Sequence, residues 1–519
     1  MKSPMYHIGP AAVLAAMLAG CAAVPKAEEK VAPPMAQAGP YASLPAIGQV
    51  DERFQSYNVE MVEVTGGRFW APYGGPEDEV YRMRPPIALG DPKLRALTRQ
   101  LSPAYMRVSG TWANKTYLPL EGEHISEAPD GYDGILTRDQ WREVIAFSKA
   151  VDAPIMLSFA VGPGARDEDG IWNTDQAQRL ADLTKQEGGT IAAVEFFNEP
   201  NAAFLSSLPK NYGATDYVRD FRIFHDWVRK ALPKAKIFGI GNVNEGSNGD
   251  EVPVAMKGTS IIFSKDVMPS ISGMLDGVSY HFYGTISQRC AGRSRLKPAK
   301  QEDALTPAWL DGSLVDLVYI RKLRDAYEPG DPIWITETAQ AACGGSPWAS
   351  SFLDSFRYVN QMALHAQNGV DVIFHNTLAA SDYALLDDEN FAPRPNYWAA
   401  LLWDRTMGQT VLASPESPSR DLKLYAQCQK GKPGGVTVAV INLGEERHRL
   451  ITGPGAQSWT MTAAETTAKT VSINGHLPEL LADETLAGLE GKDAVGSVQI
   501  PGTSISFITL PGAGNKACN

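Results

Sequence analysis

Val194-Glu195-Phe196-Phe197-Asn198-Glu199-Pro200-Asn201 reads as a short apolar strand halted by a proline, with Glu199 left at its C-terminal end. Pro332-Ile333-Trp334-Ile335-Thr336-Glu337 has the same design, ending on Glu337. Working outward from this pair, six more strand-like runs appear: Tyr57–Val62, Ala104–Val108, Pro154–Ala160, Lys236–Gly241, Gly277–Tyr283 and Val370–His375. Extended to its neighbours, the first stretch is the run Ile191–Phe197. Amphipathic segments separate the runs. Asp91-Pro92 opens one of them, with proline at the first helical position, and Thr137-Arg138-Asp139-Gln140 reads as a capping box. Further helices fit 174–187, 215–231, 311–326, 350–368 and 396–407. This alternation predicts an α/β fold, a (β/α)8 TIM barrel over residues 46–407. An open doubly wound sheet would show a Gly-rich phosphate turn after its first strand, and none occurs.

From about residue 408 the pattern changes to short alternating runs between Gly, Pro, Asn and Ser: Leu422–Gln427, Val436–Asn442, Trp459–Thr462, Val498–Ile500 and Ile505–Leu510. They predict an all-β module, a small sandwich over 408–519, to which Ile47–Phe54 can add a strand. At the N-terminus, Lys2 precedes the apolar stretch Ala11–Gly20, too short to span a bilayer. It ends Leu18-Ala19-Gly20-Cys21, which resembles the lipobox of bacterial lipoproteins; the alternative is a secretory signal cleaved near Ala22 or Ala23. Lipidation at Cys21 implies an anchor in the lipid bilayer of the cell envelope, with residues 22–45 as a flexible tether. Four cysteines remain, and four allow three pairings. Their placement favours Cys290 with Cys343, both after strands on one barrel face, and Cys428 with Cys518 in the C-terminal module.

The formal charge of −12 lacks the basic footprint of a nucleic-acid-binding protein. There is no CxxC or HxxxH spacing for a metal and no G-x-S-x-G nucleophile elbow, so neither a cofactor nor a serine triad is expected. In a parallel barrel, strand C-termini share one face, which brings Glu199 and Glu337 together. Two carboxyls there are the equipment of retaining glycoside hydrolysis, with Glu199 as acid/base and Glu337 as nucleophile. Asn198 is placed to bond a sugar 2-hydroxyl. His281 or Tyr283, at the end of the sixth run, is placed to orient the nucleophile.

Whole blocks then resemble glycoside hydrolase family 79, the heparanase and β-glucuronidase family, over most of residues 47–519. They are Leu89-Gly90-Asp91-Pro92-Lys93-Leu94-Arg95 with Leu101-Ser102-Pro103-Ala104-Tyr105-Met106-Arg107, Asn198-Glu199-Pro200-Asn201, Glu337-Thr338 with Gly344-Gly345, and Tyr383 with Asp388-Glu389-Asn390-Phe391-Ala392-Pro393. The resemblance implies that the backbone N–H groups of Gly344 and Gly345, with the Tyr383 hydroxyl, hold a uronic-acid carboxylate. It also implies sugar contacts at Thr111, Asn198 and Glu60, and it supports the Cys428–Cys518 pair. Trp112–Leu136 is too short for the excised linker of mammalian heparanase, so one uncleaved, monomeric chain is expected. The segment Asn242–Met256 has no Lys or Arg; the comparable basic stretch is Arg289–Lys297. Sulfated chains need dense positive charge. The expected activity is therefore β-glucuronidase on a glucuronic-acid-containing glycan or glucuronide. The alternatives are heparanase-like endo cleavage, a non-catalytic glycan-binding lipoprotein, or a clan relative acting on a neutral sugar.

Overall fold

The computed structural model describes residues 40–74, 79–248, 261–293 and 297–519. Cys21, most of the tether and the acidic pair Asp250 and Glu251 lie outside them. Eight parallel strands close a barrel in chain order: β1 (Gln55–Glu60), β2 (Met106–Ser109), β3 (Ile155–Leu157), β4 (Ile191–Val194), β5 (Lys236–Val243), β6 (Gly277–Tyr283), β7 (Ile333–Ala339) and β8 (Val372–His375). Closure comes from β8 against β1, with Ile373 opposite Gln55 and His375 opposite Tyr57. Strands β6 and β7 are buried at every position, as strands of a parallel sheet covered on both faces are, their polar residues included. Met156, Ala193, Phe238, Trp334, Val372 and Phe374 form a separate buried cluster drawn from β3, β4, β5, β7 and β8.

Helices start where their caps predict. Asp91 accepts the Leu94 N–H at 3.0 Å ahead of helix Pro92–Arg99. Thr137 and Gln140 exchange bonds of 3.2 and 2.8 Å at the start of helix Arg138–Ala150. Three strands end earlier than expected, β3 at Leu157 rather than Ala160. β1 stops at Glu60 rather than Val62, because Glu63 Oε2 accepts the Glu60 N–H at 2.7 Å and the chain turns into the short helix Met61–Thr65. β4 stops at Val194 rather than Phe197, where Glu195 turns its carboxylate into the barrel mouth.

Ala46–Gln49 pairs antiparallel with Met407–Leu412 at the edge of an eight-stranded sheet that continues through Leu422–Gln429, Val436–Asn442, Ser504–Leu510 and Gln457–Thr462. Period-two alternation divides its side chains. Tyr425, Ala439, Ile441 and Phe507 join the barrel's core, with Trp403 edge-on to Phe507 at 6.4 Å. Leu424, Val438, Val440 and Ile508 form a second core with Leu450 and Ile500 of the ribbon His448–Ile451/Ser497–Ile500. Cys428 bonds Cys518 and Cys290 bonds Cys343. The first crosslink closes 90 residues onto the C-terminal turn. Replacing Cys428 and Cys518 with serine should lower stability by about 2–4 kcal/mol. A reduced urea midpoint at unchanged slope checks this, and an unshifted midpoint refutes it.

Candidate active site

Every polar group at the centre of the site sits at, or just beyond, the C-terminal end of a barrel strand. Glu337 lies on β7 and His281 and Tyr283 on β6, while Glu199 follows β4. An oxygen of Glu199 and an oxygen of Glu337 lie within 4.8 Å of each other and of a His281 ring nitrogen. That spacing suits direct attack by one carboxylate. Inverting chemistry needs carboxyls roughly 6.5–9.5 Å apart to admit a water.

Glu199 is held in an uncommon conformation, φ 50°, before the turn Pro200–Ser206. The preceding residue is clamped to support it: Asn114 Nδ2 donates to Asn198 O, and Asn198 N donates to Asn114 Oδ1, both at 2.9 Å. Burial pushes the Glu199 carboxyl up to about 7, so about half of it stays protonated at neutral pH, as suits a general acid.

Arg107, on β2, organises the rest. Its guanidinium is 1% exposed. It donates to Glu195 Oε2 at 2.9 Å, Glu337 Oε2 at 3.0 Å and Asn198 Oδ1 at 2.9 Å. It also lies 3.2 Å from His281 Nε2. Because a guanidinium only donates, Nε2 must accept, and the imidazole proton sits on Nδ1. Burial lowers the His281 pKa to about 4, which keeps the ring neutral. Nδ1–H then donates to Glu199 Oε1 at 3.0 Å, leaving Oε2 to carry the catalytic proton. The other Glu337 oxygen accepts from the Tyr283 hydroxyl at 2.5 Å. Of the two residues considered for the nucleophile, Tyr283 holds it; His281 is 3.8 Å away and serves Glu199.

Glu195 lies beneath this pair. Burial alone would raise its pKa, but Arg107, His281 and the hydroxyls of Ser279 and Thr336, at 2.6 and 2.7 Å, bring it below the usual carboxylate value. Glu199, His281 and Glu337 have metal-ligand spacing, yet the Arg107 charge within reach of two of them opposes a cation. Replacing Arg107 with Met leaves Glu195 and Glu337 as buried charges without the guanidinium countercharge. It should cost about 3–5 kcal/mol. Urea denaturation measures this, and a loss under 1 kcal/mol would show that the fork is not needed for the fold.

On the opposite rim, Asn376 Nδ2 donates to Glu60 Oε1, Tyr283 Oη and Tyr383 Oη at 3.1, 2.9 and 3.1 Å. Burial, then repulsion from Glu337, raises Glu60 well above the usual carboxylate range. Its Oε2 has no hydrogen-bond partner among the described residues. Asn198 keeps its Nδ2 for a ligand, since Oδ1 faces Arg107. Thr111 is half-buried in the turn after β2. Gly344 and Gly345 both take positive φ, 82° and 85°, in the loop after β7. The expectation that both N–H groups hold a carboxylate needs correction. Gly345 N already donates to Ala341 O at 3.1 Å in a local turn, which leaves Gly344. Sequence reading gave no role to Arg107, Asn114, Glu195 or Asn376. A charged residue inside an apolar barrel strand is the available signal for Arg107, and a polar residue next after the eighth strand is the signal for Asn376.

No protein-family model matches the chain. Among curated proteins it is 25% identical to mouse heparanase over 83% of this chain and 88% of the relative. It is 21% identical to hyaluronoglucuronidase of the leech Hirudo nipponia, over 83% and 92%. It is also 25% identical to human inactive heparanase-2, over 70% and 62%. Among solved structures its fold matches a 4-O-α-L-rhamnosyl-β-D-glucuronidase from Fusarium oxysporum, at TM-score 0.62 and 13% identity, over 90% of this chain and 99% of that one. Barrel, paired carboxyls and relatives together define a glycoside hydrolase. Within that class the chain is a heparanase homologue, at about 25% identity over most of its length.

Proposed function

We propose that this chain is a retaining β-glucuronidase. The observation that carries the reading is the carboxyl pair, with oxygens within 4.8 Å, one member raised by burial to a pKa of about 7 and the other held by Arg107 and Tyr283. Glu337 attacks the anomeric carbon as Glu199 protonates the departing oxygen. Glu199 then takes a proton from the water that hydrolyses the glycosyl ester. The Gly344 N–H and the Tyr383 hydroxyl supply donors for the sugar's carboxylate, beside Glu60, whose pKa is raised by burial, and the names of the mouse and leech relatives support a glucuronic-acid substrate. The basic stretch after β6 does not support a sulfated one. Arg289 is 4% exposed and its donors are occupied within the protein; residues 294–296 lie outside the described set. Hydrolysis of 4-nitrophenyl β-D-glucuronide, followed by NMR, should release the β-anomer first. Initial release of the α-anomer, or faster hydrolysis of the corresponding glucoside or galactoside, overturns the proposal. Leu18-Ala19-Gly20-Cys21 supports export as a lipid-anchored envelope protein. Cys21→Ser should then release the enzyme from the membrane fraction.

A further inference from the structure

The geometry points to exo action: the site admits a glucuronosyl residue only at the non-reducing end of a chain. This inference rests on the glucuronidase reading. Glu199 must reach the glycosidic oxygen, so the leaving group lies over β4. The bound sugar sits on Glu337, and its non-reducing end points away from Glu199, across the barrel mouth. Strand β8 lies opposite β4 in the ring, with β7 and β1 beside it. A chain bound at internal residues would have to leave between the loops that follow these strands.

Those loops are fastened together. Arg289, after β6, donates from Nε to Ala71 O at 2.6 Å in the loop after β1. Its Nη1 donates to Cys343 O and Gly345 O at 3.1 and 2.8 Å in the loop after β7. Its Nη2 pairs with Asp382 after β8. The guanidinium also lies 3.9 Å from the Tyr73 ring centroid. One buried side chain thus joins four loops, and the adjacent Cys290–Cys343 disulfide covers the same crossing. The hairpin Gly67–Trp70/Tyr81–Arg84 is tied a second time to the β8 loop, by Arg82 to Asp388 at 2.6 Å.

An aromatic wall fills the space behind these ties. Trp70 stacks on Tyr81 at 4.8 Å, and Trp112 meets Phe69 at 5.0 Å and Trp70 at 6.2 Å. The β7 loop closes directly on this wall: a Cβ on Gly344 would come 2.8 Å from Trp70 Cβ. A crossing with no room for one added methyl group leaves no groove for a further sugar. Arg289 and Trp70 are therefore specificity-determining residues that end the site at one glycone.

Hyaluronan oligosaccharides of defined length test this. One set ends in glucuronic acid at the non-reducing end; the other has that residue removed, so each chain ends in N-acetylglucosamine. The enzyme should release free glucuronic acid from the first set and leave the second uncut, at least 100-fold slower. Internal cleavage of the capped set overturns exo action. 4-Nitrophenyl β-D-glucuronide is the control: failure to hydrolyse it defeats the glucuronidase reading itself, separately from the exo inference. Arg289→Gln, with Tyr73→Ala as a second variant if the first does not fold, should raise the capped-to-terminal rate ratio at least tenfold. An unchanged ratio in a folded variant overturns the role given to Arg289.

Discussion

Glu337→Gln is expected to reduce kcat/KM on an aryl β-glucuronide by about 10⁴- to 10⁶-fold, the scale on which removal of an enzyme nucleophile acts. The amide keeps the volume of the side chain; its oxygen can accept from Arg107 while its NH2 turns to the Tyr283 hydroxyl oxygen, so folding and binding should survive. What disappears is the anionic oxygen that forms the glycosyl ester. Glu337→Gly gives a sharper test. Removing the side chain opens a space beside Arg107 into which azide can enter. Azide would attack from the vacated face, opposite the leaving group, and produce an α-glucuronosyl azide. A β-azide, or full activity in Glu337→Gln, would move the nucleophile elsewhere.

Much of this arrangement was legible in the chain, and the reasons are local. Glu199 and Glu337 each end an apolar run, and strand ends in a parallel barrel share a face whatever the detailed geometry. The capping residues Asp91 and Thr137 announced their helices because capping acts over three residues. The cysteine partners followed from which end of which element each occupies. Illegible were contacts set by closure of the ring. Arg107 meets Glu195 and Glu337 across 88 and 230 positions. Its place in an apolar run marks it as buried, but nothing near it in sequence names its partners. Arg289 shows the converse. It stands in a basic stretch and reads as part of an anion-binding groove, yet its first partner is a backbone carbonyl 218 positions away. Gly345 was misread for a third reason. Its positive φ is visible as a glycine preference, but the same tight turn that requires glycine also occupies the N–H.

Glu199→Gln should act differently from the nucleophile variant, and pH separates the two. The wild-type acid must be protonated, and burial places its pKa at about 7. The free-enzyme profile of kcat/KM should therefore fall as pH rises through about 7, as Glu199 loses its proton. In Glu199→Gln that alkaline limb should vanish. The magnitude depends on the leaving group. Loss of general acid catalysis typically costs about 10²–10⁴-fold, so a poor leaving group such as an alkyl alcohol should suffer most. A 2,4-dinitrophenyl glucuronide departs unaided, and its first step should be little changed. Azide should restore turnover by attacking the glycosyl ester in place of water, here giving the β-azide because the ester itself inverted the centre once. Stability carries the same signature. The folded pKa lies above the ordinary 4.5, so stability linked to this proton is full below pH 4.5 and is lost as pH rises through 7. The full loss is about 3 kcal/mol. Glu199→Gln cannot ionise, so the gap in its favour should widen between pH 5 and pH 8. A wild-type profile whose alkaline limb persists in Glu199→Gln, with no widening of that gap, would assign the proton to another group.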